Sequence, residues 1–163
     1  MKLAELEKEL GVHFPKAFHR IYETGAMKWL EMSKEEITAN REEYINDSKA
    51  FLMLDCSCEL YIFDKISEAI DDLKEWIDEQ EKGTDITLSE DITLIPFGQN
   101  GGGDLYCFLY SSETEEPMVI LYCHDEYGNP SIEGHDFDEF IYIQMLDAVA
   151  NEEDIDGEHF KEN

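Results

Sequence analysis

The sequence predicts an α+β fold, in which N-terminal, middle and C-terminal helices pack on a central antiparallel sheet of about five to six strands. Apolar residues recur at helical spacing in three separate parts of the 163-residue chain. Apolar and aromatic runs of strand length lie between these parts. One domain over residues 1–150 is expected, because the chain has neither an internal repeat nor a linker rich in Pro, Gly and Ser.

Two short helices are predicted at the N-terminus. Leucines recur at helical spacing from Leu3 to Leu10, and Gly11 then ends the first helix. Pro15 suits the first turn of a second helix, which Gly25 can end in the left-handed conformation.

The centre of the chain predicts a pair of strands followed by a long helix. Residues 31–48 are polar and predict only a loop with a helical turn. Residues 51–55 and 59–63 are apolar and aromatic runs, which predict two antiparallel strands. Ser67 is placed to cap a helix that Gly83 ends, with one apolar stripe and one charged, solvated face.

Three further strands are predicted to form a meander, over residues 92–97, 105–110 and 118–123. Residues 98–104 join the first two of these strands, and residues 111–117 join the second and third. Both connections are short enough for antiparallel neighbours.

The C-terminal part predicts a turn region, a helix and a tail. Residues 127–134 are rich in turn-forming residues. Asp136 or Asp138 can cap a helix that runs to about Ala150. Residues 151–163 carry six acids against one lysine and are expected to form an acidic, frayed tail.

The charge of the chain favours a basic protein as partner. It has 12 Lys and Arg against 40 Asp and Glu, for a net charge of −28, and Gly83–Phe160 holds 19 of these acids without a single Lys or Arg. Such a surface repels phosphates and anionic lipid headgroups, so neither direct nucleic-acid binding nor membrane binding is expected. It attracts cationic proteins and speeds their association. Self-repulsion favours a monomer.

The N-terminus and the cysteines indicate a cytoplasmic protein. The first ten residues are amphipathic and acidic, unlike a signal peptide, and no apolar run approaches the roughly 20 residues that span a bilayer. Four cysteines lie in or beside strand-like segments and suit buried thiols in a reducing compartment: Cys56, Cys58, Cys107 and Cys123. The first two have no second, matching pair, so no zinc site is expected.

The glycine-rich segment Gly98–Asp104 predicts a structural or partner-docking loop. It lacks the Gly-Lys-Ser/Thr end of a phosphate-binding loop, does not lead into a helix and lies in a region without cations. Its glycines permit unusual backbone angles, and Asp104 is expected to bond back to nearby amides.

His124-Asp125 and residues 135–138 supply the side chains of a divalent metal site or of acid–base catalysis. Helix caps and turns explain these residues without a metal. The chain has no nucleophile elbow and no cysteine in a context that lowers a thiol pKa. We therefore predict that the protein is not an enzyme and binds no metal or other cofactor.

Three separated motifs are similar to those of one known family. The first comprises Leu6–Gly11, Phe14-Pro15, Tyr22 and Gly25; the second comprises Ile95–Gly98 and Asn100–Phe108; the third comprises Pro117–Cys123, His124-Asp125, and Phe137 with the helix after it. Together, over roughly residues 3–147, they resemble the SUKH superfamily of bacterial immunity proteins and of fungal relatives that regulate cell-wall synthesis.

The resemblance implies an α+β fold, no catalytic activity, and the neutralisation of a cognate polymorphic or contact-dependent toxin. Nuclease toxins bind a polyanion and are basic on their catalytic face, so an acidic inhibitor that covers this face would block substrate. We expect the contacts at acids beside flexible or glycine-bearing loops: Asp104, Glu113, Glu115, Glu116, Asp125, Glu126, Asp136 and Asp138.

Three alternatives follow from the same residues. The chain can be a non-catalytic acidic scaffold or regulatory module that recruits partners without inhibiting them. It can be a DNA mimic, which would bind many DNA-binding proteins instead of one. A metal-dependent enzyme built from the His and Asp residues of His124-Asp125 and residues 135–138 is the third, and calorimetry with divalent ions would separate it from the others.

Overall fold

The computed structural model describes residues 3–23, 35, 39, 59–61, 63–84, 88–125 and 130–144. In these ranges it contains the helices α1 (Leu3–Leu10), α2 (Lys16–Glu23) and α3 (Phe63–Glu81). The described residues of a fourth helix, α4, are 137–144. The two predicted N-terminal helices are confirmed, and Gly11 ends α1 with a φ of 69°, in the left-handed region that glycine tolerates.

The strands form one antiparallel sheet in chain order, with the bounds β1 (Glu59–Leu60), β2 (Thr93–Gln99), β3 (Leu105–Tyr110), β4 (Met118–Tyr122) and β5 (Ser131–Gly134). The predicted α+β class and the meander of the three central strands are confirmed. Four of the strands, β2 to β5, have four residues or more, which is fewer than the five to six strands expected. β1 has only two residues and lies at one edge of the sheet.

The start of α3 differs from the prediction. A strand was expected over 59–63 and a helix cap at Ser67, but β1 ends at Leu60 and α3 begins at Phe63. The reason is Ile66, which is fully buried and extends the apolar stripe of the helix by one turn toward the N-terminus. The predicted strand 51–55 lies outside the described residues.

β5 replaces part of the predicted turn region 127–134. It pairs with β4 through Ser131 and Ile132, whose partners are Leu121 and Ile120. Ile132 is 58% exposed, so backbone pairing and not burial holds this edge strand. A strand without a buried apolar face leaves no periodic signal in the sequence.

The core has an aromatic layer on one face of the sheet. The rings of Phe97 and Phe108 stack at 4.3 Å between centroids, and Phe18 of α2 meets both edge to face. Phe137 of α4 packs against Phe18 at 5.6 Å, so α2 and α4 cover the same face. Aromatic pairs of this kind add about 0.5–1.5 kcal/mol each beyond burial.

α3 covers the opposite face. Side chains alternate along a strand, so Leu105 faces away from Tyr106 and Phe108, and its partner Tyr122 lies on the same side. Both are buried beneath α3, whose stripe of Ile66, Ile70 and Leu73 belongs to the same core. The sheet is therefore enclosed between α3 on one side and α2 with α4 on the other.

Candidate protein-binding surface

The meander divides the predicted partner-binding acids between two ends of the sheet. We call the end formed by residues 100–104 and 123–125 the glycine-loop end, and the end formed by residues 111–117 and 135–138 the hairpin end. The glycine-loop end holds Asp104 and Asp125, and the hairpin end holds Glu113, Glu115, Glu116, Asp136 and Asp138. The six residues of β3, at about 3.4 Å each, set the ends roughly 20 Å apart, so the two groups form separate patches. Glu126 lies outside the described residues.

At the hairpin end, two aspartates have structural partners. Asp136 Oδ1 accepts a hydrogen bond from the Glu139 amide at 2.8 Å, so Asp136 and not Asp138 caps α4. Asp91, which sequence reasoning missed, accepts from the hydroxyls of Ser89 at 2.6 Å and Ser112 at 3.3 Å. The bond from Ser89 is the main cause that lowers the pKa of Asp91.

The glycine loop is held by Asn100. Its side-chain oxygen accepts hydrogen bonds from the amides of Gly102 at 3.0 Å and Asp104 at 2.9 Å. Gly103 has a φ of 86°, which favours glycine at this position. The expectation that Asp104 would bond back to its own turn is therefore wrong, because Asn100 already occupies those amides.

Asp104 instead bonds across the sheet to His124. One carboxylate oxygen accepts from the His124 backbone amide at 3.2 Å and lies 2.6 Å from Nδ1 of the His124 ring. The pairing of Leu105 with Tyr122 places the two residues side by side. Burial acts to raise the pKa of Asp104, but the hydrogen bonds from His124 and Asn100 outweigh it, so the pKa lies below 3.8.

Gln80 of α3 joins this contact to the helix. Its side-chain amide donates to the His124 carbonyl, and its side-chain oxygen accepts from the Tyr122 hydroxyl. Burial is the main cause that raises the pKa of Tyr122 to about 12, so the phenol remains a donor at neutral pH. We call Gln80, Asp104, Tyr122 and His124 the His124 cluster. Sequence reasoning selected only Asp104 and His124 of these four.

α3 crosses the sheet beside the glycine-loop end. Just before its start, the Tyr61 hydroxyl donates to Gln99 at the end of β2, at 3.2 Å. Near its other end, Gln80 contacts Tyr122 and His124 at the end of β4. The outward side of the helix therefore continues the surface that carries Asp104 and Asp125.

That outward side is strongly acidic. Residues 68–79 contain six acids and one lysine. All six acids are exposed, and we call them the α3 acids: Glu68, Asp71, Asp72, Glu75, Asp78 and Glu79. Each like-charged pair three or four residues apart costs a helix about 0.2–0.5 kcal/mol. The sequence prediction treated this side only as a solvated face, although its charge density was visible.

An open groove of about 330 Å³ lies between α3 and the sheet at the glycine-loop end. Its lining is formed by Lys65, Glu68, Ala69, Asp72 and Trp76 of α3, with Tyr61, Gln99, Gly103 and Leu105 opposite. The volume is at the lower end of the range for small-ligand sites. The groove thus has room for one or two side chains of a partner.

The described residues show no arrangement for metal or nucleophilic chemistry. No group of three His, Cys, Asp or Glu in the described ranges could hold a metal ion. Burial raises the pKa of the Cys107 thiol, which opposes formation of the reactive thiolate. In the same part of the chain, no helix is long and apolar enough to cross a membrane.

Comparison with known proteins shows the family. The sequence model of the SMI1 / KNR4 family (SUKH-1) matches residues 2–143, which include every described strand and nearly all the described residues of α4. No curated protein and no solved structure matches the chain. Proteins of this family are generally non-catalytic immunity or regulatory proteins. The match extends over most of the 163 residues, and the chain therefore belongs to the SMI1 / KNR4 family.

Proposed function

We propose that this chain is an immunity protein that binds and neutralises a cognate polymorphic or contact-dependent toxin, and that the toxin is a basic nuclease. Family membership supports the immunity role, because the family consists largely of non-catalytic immunity and regulatory proteins. The net charge of −28 supports a basic partner. The protein acts by binding alone, as neither an enzyme nor a cofactor-dependent protein.

The observation that carries this proposal is the continuous acidic surface of the α3 acids and the glycine-loop end. α3 carries six exposed acids, and Asp125 beside it is 86% exposed. A nuclease recognises nucleic acid through cationic side chains, and these are the groups that such a surface attracts. A bound inhibitor would occupy the site of the phosphate backbone, and its charge would speed the encounter.

The experiment compares two matched charge reversals, one on each acidic patch. D71K/E75K/E79K changes the α3 acids, and E113K/E115K/E116K changes the hairpin end by the same net charge. We expect the first variant to slow association with the toxin by about tenfold or more and to weaken its salt dependence, because electrostatic steering changes rates by about 10 to 10³. The second should have a smaller effect, through the long-range field alone.

Equal slowing by the two variants would contradict the assignment of the α3 surface, and unchanged rates in both would remove the electrostatic basis of the proposal. A larger effect of the hairpin variant would place the interface at Glu113, Glu115 and Glu116, as the sequence first indicated. Capture of many unrelated DNA-binding proteins would favour the DNA-mimic alternative instead. Circular dichroism of both variants controls for folding.

We also propose that residues 1–150 form one domain with a separate acidic tail over 151–163, and that the protein acts as a cytoplasmic monomer. The single hydrophobic core shared by the four described helices and by β2, β3 and β4 supports the first point. Limited proteolysis should remove the tail and leave the domain, and sedimentation at physiological salt should give the monomer mass.

A further inference from the structure

The groove beside α3 has a chemical character of its own: aromatic walls, an apolar floor and an acidic rim. We propose that it binds the side chain of one arginine of the protein partner. This inference rests on the proposed function for its biological partner, and it goes further by naming the side chain that the surface recognises and the position where it binds.

The aromatic walls fit a guanidinium group. Trp76 is partly buried at one end of the groove, and tryptophan is the best ring for a cation–π contact. At the other end, Tyr61 already accepts a cation of this chain, because Lys65 Nζ lies 5.4 Å from its ring centroid. A planar guanidinium can stack on an aromatic ring as well, which an ammonium cannot do.

The floor fits the aliphatic part of an arginine. Ala69 lies in the middle of the α3 stripe that lines the groove, and its small side chain leaves space between its larger neighbours. Leu105 closes the bottom of the groove and is only 4% exposed. Arginine buries its methylene groups on surfaces of this kind while its charged head stays at the rim.

The rim supplies the negative charge. Glu68 and Asp72 stand four residues apart on one helix face, and both line the groove and are exposed. No ion pair in the described part of the chain involves either of them. Two like charges at this spacing repel, so a cation between them removes a cost that the free protein carries. Carboxylates also bind a guanidinium through paired hydrogen bonds.

Other occupants fit less well. An anion would meet two carboxylates and one lysine. An apolar side chain would cover the carboxylates without giving them a hydrogen-bond partner, which costs free energy. The wall at Gly103 is already fixed by the hydrogen bonds of Asn100, so the groove exists before a partner arrives.

The test uses N-acetyl-argininamide as probe and follows the amide and indole N–H signals of the isotope-labelled full-length protein by NMR. We expect saturable shifts at the Trp76 indole and the Gly103 amide, with a dissociation constant of about a millimolar, as for a ligand of this size. N-acetyl-citrullinamide, which has the same shape and no charge, should shift neither signal.

Two matched variants locate the binding. E68Q/D72N removes both rim charges and should weaken argininamide binding about tenfold, the size expected for the loss of two surface charge pairs. E9Q/E90Q makes the same change of charge at two exposed acids that do not line the groove and should bind as the wild type does. All four residues are exposed, so both variants should fold.

Three results would overturn the inference: no saturable shift, equal shifts with the citrulline probe, or equal weakening by both variants. A lysine probe that binds as tightly would reduce the preference for arginine to one for cations and overturn the guanidinium assignment. If the proposed function alone were wrong, argininamide would still bind the groove but no toxin partner would be found. Conversely, if E68Q/D72N did not weaken the complex with the toxin, the proposed function would stand and this inference would be overturned.

Discussion

Gly134 ends β5 against the first turn of α4, and its replacement by alanine tests this junction directly. A Cβ at position 134 would lie 2.7 Å from the Asp136 carbonyl oxygen and 2.8 Å from the Phe140 amide nitrogen. These two atoms form the backbone hydrogen bond that closes the first turn of α4, at 3.2 Å. Both contacts are too short, and both involve backbone, so the helix start or the strand end must move.

The expected loss of stability follows from the displacement of backbone at the end of β5 and the start of α4. Overpacking a filled site costs about 1–3 kcal/mol, and a weakened backbone hydrogen bond adds about 1 kcal/mol. We therefore expect Gly134→Ala to lower the free energy of unfolding by about 2–4 kcal/mol. At about 2–4 °C per kcal/mol for a domain of this size, the midpoint of thermal unfolding should fall by about 4–16 °C.

The assay is urea unfolding followed by tryptophan fluorescence and far-UV circular dichroism, with Gly101→Ala as control. A Cβ at position 101 has no neighbour within 4 Å, and Gly101 is not among the glycines with positive φ. The control should change stability by no more than about 1 kcal/mol. If the two variants unfolded at the same urea concentration, the close approach of β5 to α4 would be refuted.

Three further variants test the core and the His124 cluster. Asp104→Asn should lower the free energy of unfolding by about 1–2 kcal/mol at pH 6. Because the pKa of Asp104 is lowered in the folded state, this difference from the wild type should persist above pH 3.8 and vanish as the pH falls below it. A constant difference down to pH 2 would contradict this. Tyr122→Phe should lower the free energy of unfolding by about 1 kcal/mol at pH 7, because the side-chain oxygen of Gln80 loses its hydrogen-bond donor. The pKa of Tyr122 is raised in the folded state, so this difference from the wild type should shrink as the pH rises from 10 toward 12. Urea unfolding curves at alkaline pH would show the change. Phe18→Ala should lower the free energy of unfolding in urea by about 3–5 kcal/mol, because its buried ring contacts four other rings among the described residues. A loss below about 1 kcal/mol would exclude Phe18 from the core.

The ends of helices could be predicted from the sequence where residues close together along the chain determine them. Gly11 ends α1, and Asp136 caps α4 through the amide three residues later, because both roles depend on a few consecutive residues. The meander was also predictable, since the apolar runs and short connections of β2, β3 and β4 leave few other pairings.

Long-range contacts could not be predicted in the same way. Asp104 meets His124, twenty residues away, only because of the register that pairs Leu105 with Tyr122. Gln80 gave no signal, because a polar residue in an acidic helix looks solvent-exposed until the helix is placed on the sheet. The division of the predicted acids between two ends likewise depends on strand direction, which no single residue encodes.

The groove combines both kinds of information. The spacing of Lys65, Ala69, Asp72 and Trp76 on one helix stripe was visible in the sequence. The fold brings the residues that face this stripe from the position after β1, the end of β2, the glycine loop and the start of β3. Sequence reasoning treated the acids of α3 as a solvated face, since charge density alone does not show a concave surface. A binding surface becomes recognisable only when aromatic, apolar and acidic groups are seen in one place.

The measurement that most directly tests the central claim is cell survival on co-expression of this chain with the toxin domain encoded immediately upstream of it. A non-cognate acidic protein of similar charge serves as control. An immunity protein should rescue growth selectively and be recovered in a stable complex with the toxin. No rescue and no complex would contradict the immunity role and leave an acidic interaction module with another partner.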